Sequence, residues 1–494
     1  MLLQVVACAL ILFCSFAVWG TIKPKGFPPG PCWCPFVGCY PQFLFLHRIL
    51  GYCHLVWAKW AEQYGPLVGL KLGKDRIVVV SGYQAVKHVF SRDDCDGRPD
   101  GFFFRMRTFD QRLGLVFVDG EHWSKQRKFT TRHLRNLGLS VNSMEHIILQ
   151  EVEALVHDLS DKCSHNEDLE IELHNLCDIS ILNSLWAVVA GNRFELDDPR
   201  LIQMFKLQHA SFRALDMSGG LINQMPFLRH LMPGRTGYND HIATLAATYS
   251  FLRETLQDHK RTHMQGNHHD LIDAYLDEIN SEKDTDFNDL QLLALSMDLF
   301  MAGSETTSNT IGFIFLYFLI NPEMQKRVQA EIDSVIGRGR LPKLSDRPKM
   351  LYLEALIMEV QRFLSVAPIA VPHRTTQDCE ILGYNIPKDT TVLMSIWSVH
   401  MDPEHWKDPE NFRPERFLNE DQSAIIKDEW FIPFGLGKRR CIGEVQARNS
   451  LFLFLAGLLQ RFTFSATAEG VQNLKHYDGV TLSPKPYKGI VKRR

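Results

Sequence analysis

The segment that most constrains this chain is Phe434-Gly435-Leu436-Gly437-Lys438-Arg439-Arg440-Cys441-Ile442-Gly443. Three glycines around one cysteine allow backbone angles and close approaches that a Cβ would forbid. Such a loop can wrap the cysteine and aim backbone N–H groups at its sulfur. The apolar stretch Glu444–Leu459 that follows reads as a helix starting beside that sulfur. Backbone donors and a helix N-terminus both favour a thiolate over a thiol. Phe434 is placed to shield the sulfur from water, and Arg439 to reach an anionic group. A buried free cysteine is usually an inert small hydrophobe, but that reading leaves the glycines and Arg439 without a purpose.

Composition bounds what surrounds the loop. The chain has 494 residues, 45% of them hydrophobic and 22% charged, with 32 Phe, which is enough apolar material for a large core or a greasy pocket. Length alone suggests several domains, yet no Pro/Gly/Ser-rich linker divides the chain after residue 40. The formal net charge of -3 gives no basic excess that would point to nucleic acid. The 11 cysteines form no dense framework, and Cys32-x-Cys34 lacks a second close pair to complete a zinc site. They read as reduced thiols on the cytosolic side.

Residues Met1 to Ile22 carry no charged side chain, and Leu2–Gly20 is almost continuously apolar, broken only by Gln4 and Ser15. A helix needs about 20 such residues to cross the hydrocarbon of a bilayer. A cleaved secretory signal would begin with basic residues, whereas here the first ones, Lys23 and Lys25, follow the run. The positive-inside rule then puts everything after Ile22 in the cytosol. Pro28-Pro29-Gly30-Pro31, with Pro35 and Gly38, excludes helix and sheet and reads as a stiff spacer.

Beyond it, Leu67–Lys71 and Arg76–Ser81 flank the turn Gly73-Lys74-Asp75 as a hairpin, and Glu380–Pro387 with Thr391–Ser395 reads as a second strand pair. Val141–Leu159, Ile171–Val189, Asp240–His259 and Asp289–Ile320 are periodic or apolar enough for long helices. The three histidines of His263–His269 read as part of a solvated loop rather than a metal site.

Other short patterns gain meaning beside the cysteine loop. Glu359 and Arg362 share a helical face, and Pro414-Glu415-Arg416-Phe417 offers a third charge. Ala302-Gly303-Ser304-Glu305-Thr306-Thr307 interrupts the apolar stretch Asp289–Ile320 with glycine and hydroxyls that can open a helix ladder. Trp123 and Arg127 share a face, while Arg98 follows Gly97 and His373 follows Pro372. Each pattern alone is commonly an exposed ion pair, a polar patch against a neighbouring helix, or a surface stack.

Taken together these segments resemble the cytochrome P-450 family: the cysteine loop its haem-binding signature, Glu359-x-x-Arg362 and Pro414–Phe417 its charge network, Ala302–Thr307 its oxygen-activation motif, and Trp123-x-x-x-Arg127 its propionate-binding helix. The anchor, the proline hinge and Val371-Pro372-His373-Arg374-Thr375-Thr376 are similar to the microsomal group, and the texture around Leu185–Gly191 to its arthropod members. The resemblance implies a mainly α fold with a small β portion. It implies a single haem domain over residues 41–494, behind a transmembrane anchor (1–22) and a proline-rich hinge (23–40).

It further implies haem b, with Cys441 as the axial thiolate that favours O–O cleavage. There is no C-x-x-C-H for covalent attachment. Arg98, Trp123, Arg127, His373 and Arg439 would hold the haem, and Thr306 and Glu305 would deliver protons. Glu359, Arg362 and Arg416 would brace the loop. The implied activity is insertion of one oxygen atom of O2 into a small lipophilic substrate, with electrons from NADPH through a cytochrome reductase at the endoplasmic reticulum membrane. Lys125, Lys128, Arg132, Arg135, Lys438 and Arg440 would form the basic face that steers an acidic reductase, or else an ordinary solvated face.

By position the substrate would meet Phe102–Phe104, Val116–Val118, Leu215–Phe227, Leu299–Gly303, Val366–Val371 and Val480–Leu482, with Asp216 the only charge among them and turned to solvent. Gln446 departs from the family pattern, which puts local helix packing in question. A haem-thiolate isomerase and a non-enzymatic haem or lipid carrier remain the competing readings. Glu305-Thr306 argues against the isomerase.

Overall fold

The computed structural model describes residues 20–137, 141–166, 168–281, 284–468, 470 and 475–494, with Gln4, Cys8 and Ser15 in addition. The anchor expected over residues 1–22 lies almost wholly outside them. Among the described residues, no helix is long and apolar enough to cross a membrane.

The helix Asp289–Ile320 is the axis of the fold. It is buried on every side, which explains why its sequence is apolar all round rather than striped. The Asn288 side chain caps it, accepting from Gln291 N at 3.0 Å. Asp178–Ala190, Tyr238–Thr262 and Glu444–Arg461 pack against it. The amphipathic helix Gly120–Leu137 buries Gln126, Phe129, Thr130 and Leu134. Tyr275 Oη donates to the amide oxygen of the buried Gln126 at 2.8 Å.

The β portion is small. Leu67–Leu72 pairs antiparallel with Asp75–Val80, which runs parallel to Thr391–Met394, itself antiparallel to His373–Arg374. A second sheet orders Leu169–Glu172, Lys488–Arg493 and Phe462–Ala466.

Several sequence expectations shift. The first hairpin turns on two residues rather than three, because Leu72 pairs with Asp75 and Gly73 takes a left-handed φ of 54°. Glu380–Pro387 is not one strand. Leu382 and Gly383, both at positive φ, fold Cys379–Ile381 back on Tyr384–Ile386, and Thr391–Met394 joins the first sheet instead. The helix expected from Ile171 starts at Asp178, since Leu169–Glu172 finds a β partner in Lys488–Val491. The proline stretch, read as a stiff spacer, lies hydrogen-bonded against the first sheet. Pro29 O accepts from Gly69 N at 2.7 Å, Lys71 O from Cys39 N at 2.7 Å, and Phe27 and Trp33 are buried against each other.

Candidate functional site

Cys441 sits where the final loop turns into the helix Glu444–Arg461, whose N-cap is Gly443. Its N–H donates to Phe434 O at 3.0 Å, closing the loop on itself. Gly435 and Gly437 are left-handed, at φ 70° and 68°, and a Cβ on Gly437 would lie 2.2 Å from Phe90 O. Gly443 needs no special backbone angle: its φ is −88°, and a Cβ there would make only an ordinary 3.8 Å contact with the Cys441 sulfur. Burial raises the thiol pKa, while the Gly443 N–H and the Arg127 and Arg440 cations pull it back towards the thiolate. Phe434 stacks beneath the Arg448 guanidinium, 5.0 Å from its ring centre.

Behind this loop Glu359 and Arg362 form two hydrogen bonds of 2.8 Å, and Arg416 Nε adds a third to Glu359 at 3.0 Å. Arg362 also donates to the carbonyls of His400 and Pro409. His400 carries the brace forward, because its Nε2 accepts the backbone N–H of Ile432 at 3.0 Å. A lone His offers no signal in sequence, and this link was not anticipated.

The Cys441 thiol opens on a cavity of about 420 Å³. At one side of it, cations converge. Arg439 spreads over Trp123, its guanidinium carbon 3.6 Å from the ring centre, and donates to Val118 O and Asp96 O. Arg127 lies 5.5 Å from the same ring and donates to Arg440 O at 2.6 Å. Arg98, buried, donates to Val371 O and Pro372 O, both at 2.8 Å. His373 gives its Nδ1 to Cys95 O at 2.8 Å, and its ring lines the cavity. Burial, then repulsion by Arg98, keeps that imidazole well below its usual range and so neutral. Of the two acids beside these cations, Asp96 and Asp119, the latter is already engaged by Arg112 and Arg374 at 2.8 and 3.0 Å.

Thr306 lines the cavity, with its hydroxyl donating to Ala302 O at 3.0 Å. The helix is continuous through this point, so the hydroxyl bonds its own ladder without breaking it. Gly303 lets Asp178–Ala190 approach, since a Cβ there would lie 2.4 Å from a Leu185 methyl. Glu305 stands behind the wall and does not line the cavity. Its carboxyl accepts from Gln208 at 3.1 Å and Thr481 at 3.3 Å, with His209 Nδ1 3.6 Å away.

A family model described as Cytochrome P450 (here written P-450) matches residues 28–491 of this chain. The chain belongs to the cytochrome P-450 family. Its relatives include the farnesoate epoxidase of Bombyx mori, 40% identical over 98% of each chain. A probable cytochrome P-450 303a1 of Drosophila melanogaster is 38% identical over 97% of this chain and 96% of its own. The cytochrome P-450 2J3 of Rattus norvegicus is 34% identical over 94% and 91%.

As a P-450 the protein is a monooxygenase, an oxidoreductase whose cofactor is haem with iron held by a cysteine thiolate. The residues present fit that group. Arg98 and Arg439 each keep a buried Nε without a partner. Buried guanidinium groups are costly unless matched by anions, and the carboxylates of a haem edge are the anions this surplus suits.

The structure of this P-450 also corrects the sequence reading. Asp216 is not turned to solvent: it lines the cavity, accepting from Ser218 N at 2.7 Å, and burial raises its pKa. Nor is it the only charge there, because Arg107 and Asp298 line the same space. Gln446 lines the cavity as well, so its consequence is not confined to helix packing. The expected basic face is largely paired. Lys125 meets Asp284 and Asp286 at 3.0 and 2.9 Å, Arg440 meets Glu444 at 2.6 Å, and Lys438 bonds Asp93. Arg132 lies 3.9 Å from Glu278. Among the described residues, Lys128 and Arg135 alone of the six carry no ion pair.

Proposed function

We propose that this P-450 epoxidises a farnesoate-type sesquiterpenoid, with methyl farnesoate as the specific substrate, in insect juvenile hormone synthesis. The observation that carries this reading is the 40% identity to a farnesoate epoxidase over 98% of both chains. The cavity supports it: Leu299, Val366, Ala370, Val371 and Val480 give it an apolar wall suited to a long isoprenoid chain.

In this reading Cys441 would hold the haem iron through its thiolate, and Arg98, Trp123, Arg127, His373 and Arg439 would hold the haem edge. Bound haem supplies the dioxygen chemistry. Thr306, facing the cavity, presents a hydroxyl to the reacting oxygen. Glu305, joined to the cavity through Thr481, replenishes protons from behind. Electrons come from NADPH through a cytochrome reductase docking on the face of Lys125, Lys128, Arg132, Arg135, Lys438 and Arg440, where Lys128 and Arg135 carry no ion pair among the described residues. Residues 1–22 anchor the catalytic domain, residues 41–494, to the cytosolic face of the endoplasmic reticulum.

The experiment is reconstitution of membranes carrying the protein with reductase, NADPH and methyl farnesoate. A strongly red-shifted Soret band in the reduced carbon-monoxide spectrum, lost in Cys441→Ser, together with epoxide product, is expected. Thiolate-bound haem with no epoxide would overturn the substrate. It would favour hydroxylation of another terpenoid, steroid, fatty acid or xenobiotic.

A further inference from the structure

Among the polar groups that line the cavity, one charged cluster is used by neither the haem edge nor the proton route. Arg107 lines the cavity with its side chain 9% exposed, and among the described residues its guanidinium makes a single hydrogen bond, to Asp298 at 3.1 Å. A guanidinium has five N–H donors. Asp298 also receives the backbone N–H groups of Leu115 and Val116 at 2.7 and 2.9 Å, both on its other oxygen. Beside Arg107 stands His241, whose Nδ1 lies 2.9 Å from Ser211 Oγ while its Nε2 is buried with no partner among the described residues. Burial, and then Arg107, push this imidazole down to about 3, so it is neutral. When Ser211 donates to Nδ1, Nε2 carries the hydrogen and becomes a second donor. Both Ser211 and His241 line the cavity.

Buried donors without acceptors are costly and uncommon in native proteins. We propose that Arg107, His241 and Ser211 form a carbonyl-binding pole that docks the uncharged ester end of the substrate, with the apolar chain lying in the remainder of the cavity that Cys441 also lines. This rests on the farnesoate-type reading and sharpens it. The ester is favoured over the free acid by charge. Arg107 is already neutralised by Asp298, and Asp216 also faces the cavity. A carboxylate would therefore bring an uncompensated negative charge into buried space, whereas an ester carbonyl brings only an acceptor.

The test measures equilibrium binding of three probes to the haem-loaded protein, by optical titration and by dialysis: methyl farnesoate, farnesoic acid, and the hydrocarbon farnesene. The parent protein should bind the ester about tenfold more tightly than the acid. In His241→Phe the ester should weaken about tenfold while farnesene stays within about twofold. His241→Phe is preferred to an Arg107 variant, which would strand Asp298 and endanger folding. Equal changes for ester and hydrocarbon, no change for either, or tighter binding of the acid would each overturn the pole. Carbonyl-dependent binding without epoxide formation would overturn the reaction and leave the pole standing. Epoxide formation with binding unaltered in His241→Phe would do the reverse.

Discussion

The backbone N–H of Ile432 donates to Nε2 of His400 at 3.0 Å, so the loop that carries Cys441 hangs from a histidine that must stay unprotonated. Its Nδ1 therefore holds the hydrogen and donates to Ser365 Oγ at 2.8 Å. Burial, with Arg362 beside it, pushes the imidazole from its ordinary 6.5 down to about 3. Between those values the unfolded chain takes up the proton and the folded chain does not. The contribution of His400 is thus complete above about pH 6.5 and is lost progressively as pH falls towards about 3.

His400→Gln keeps an acceptor for Ile432 but cannot titrate. Relative to that variant, the parent should lose roughly 2 kcal/mol more stability between pH 6.5 and pH 5. Denaturant midpoints for the two proteins across that range measure it. Parallel slopes would remove His400 from the pH dependence.

Glu359 accepts from Arg362, Arg416 and the backbone of Arg413 while wholly buried. Glu359→Gln leaves two buried guanidinium groups facing a neutral amide, and should cost about 3–5 kcal/mol. Little folded, haem-loaded protein should accumulate. Normal haem content and an unchanged denaturation midpoint would show that the network is dispensable to the loop.

What could be read in the sequence was whatever local spacing dictates. Asp289–Ile320 appeared with its observed bounds, because a helix buried on every side leaves a long unbroken apolar run. Cys441, Arg439 and Trp123 were legible because glycines and a four-residue repeat fix their neighbours. His400, Arg107 and His241 were not, because each acts through partners brought together by tertiary packing: His400 with Ile432, Arg107 with Asp298 at a separation of 191 residues. Asp216 was misplaced for the same reason. A charged residue in an apolar stretch reads as solvent-facing until Ser218 and Gly220 are seen to hold it inward.

Arg98 and Arg439 are the strongest test of the haem edge. Arg98 is fully enclosed, and burial together with repulsion from Arg439 drives its pKa well below the usual arginine range. Arg439 is lowered by burial to about 10. The carboxylates of a bound haem would relieve both. Arg439→Met should therefore speed haem loss to a scavenger by about tenfold or more, while leaving the thiolate-type spectrum of the remaining holoprotein intact. An unchanged rate of haem loss would mean that these cations serve only the backbone carbonyls they already bond.

Thr306 and Glu305 adjoin in sequence but face different surroundings. The Thr306 hydroxyl reaches the cavity, held to Ala302 O at 3.0 Å, whereas Glu305 reaches it only through Thr481 at 3.3 Å. Behind Glu305, His209 Nε2 lies 3.0 Å from Asp178. Burial disfavours the charged imidazole, but Asp178 and Glu305 outweigh it and raise its pKa to about 10, so the carboxyl has a protonated neighbour at neutral pH. Removing the hydroxyl should therefore spoil proton delivery without touching binding. In Thr306→Ala, haem content and methyl farnesoate affinity should stay within about twofold. Product formed per NADPH should fall about tenfold or more, with hydrogen peroxide rising in its place. Thr306→Ser should restore coupling. Fully coupled turnover in Thr306→Ala would move the proton route to Thr481 and Glu305 alone.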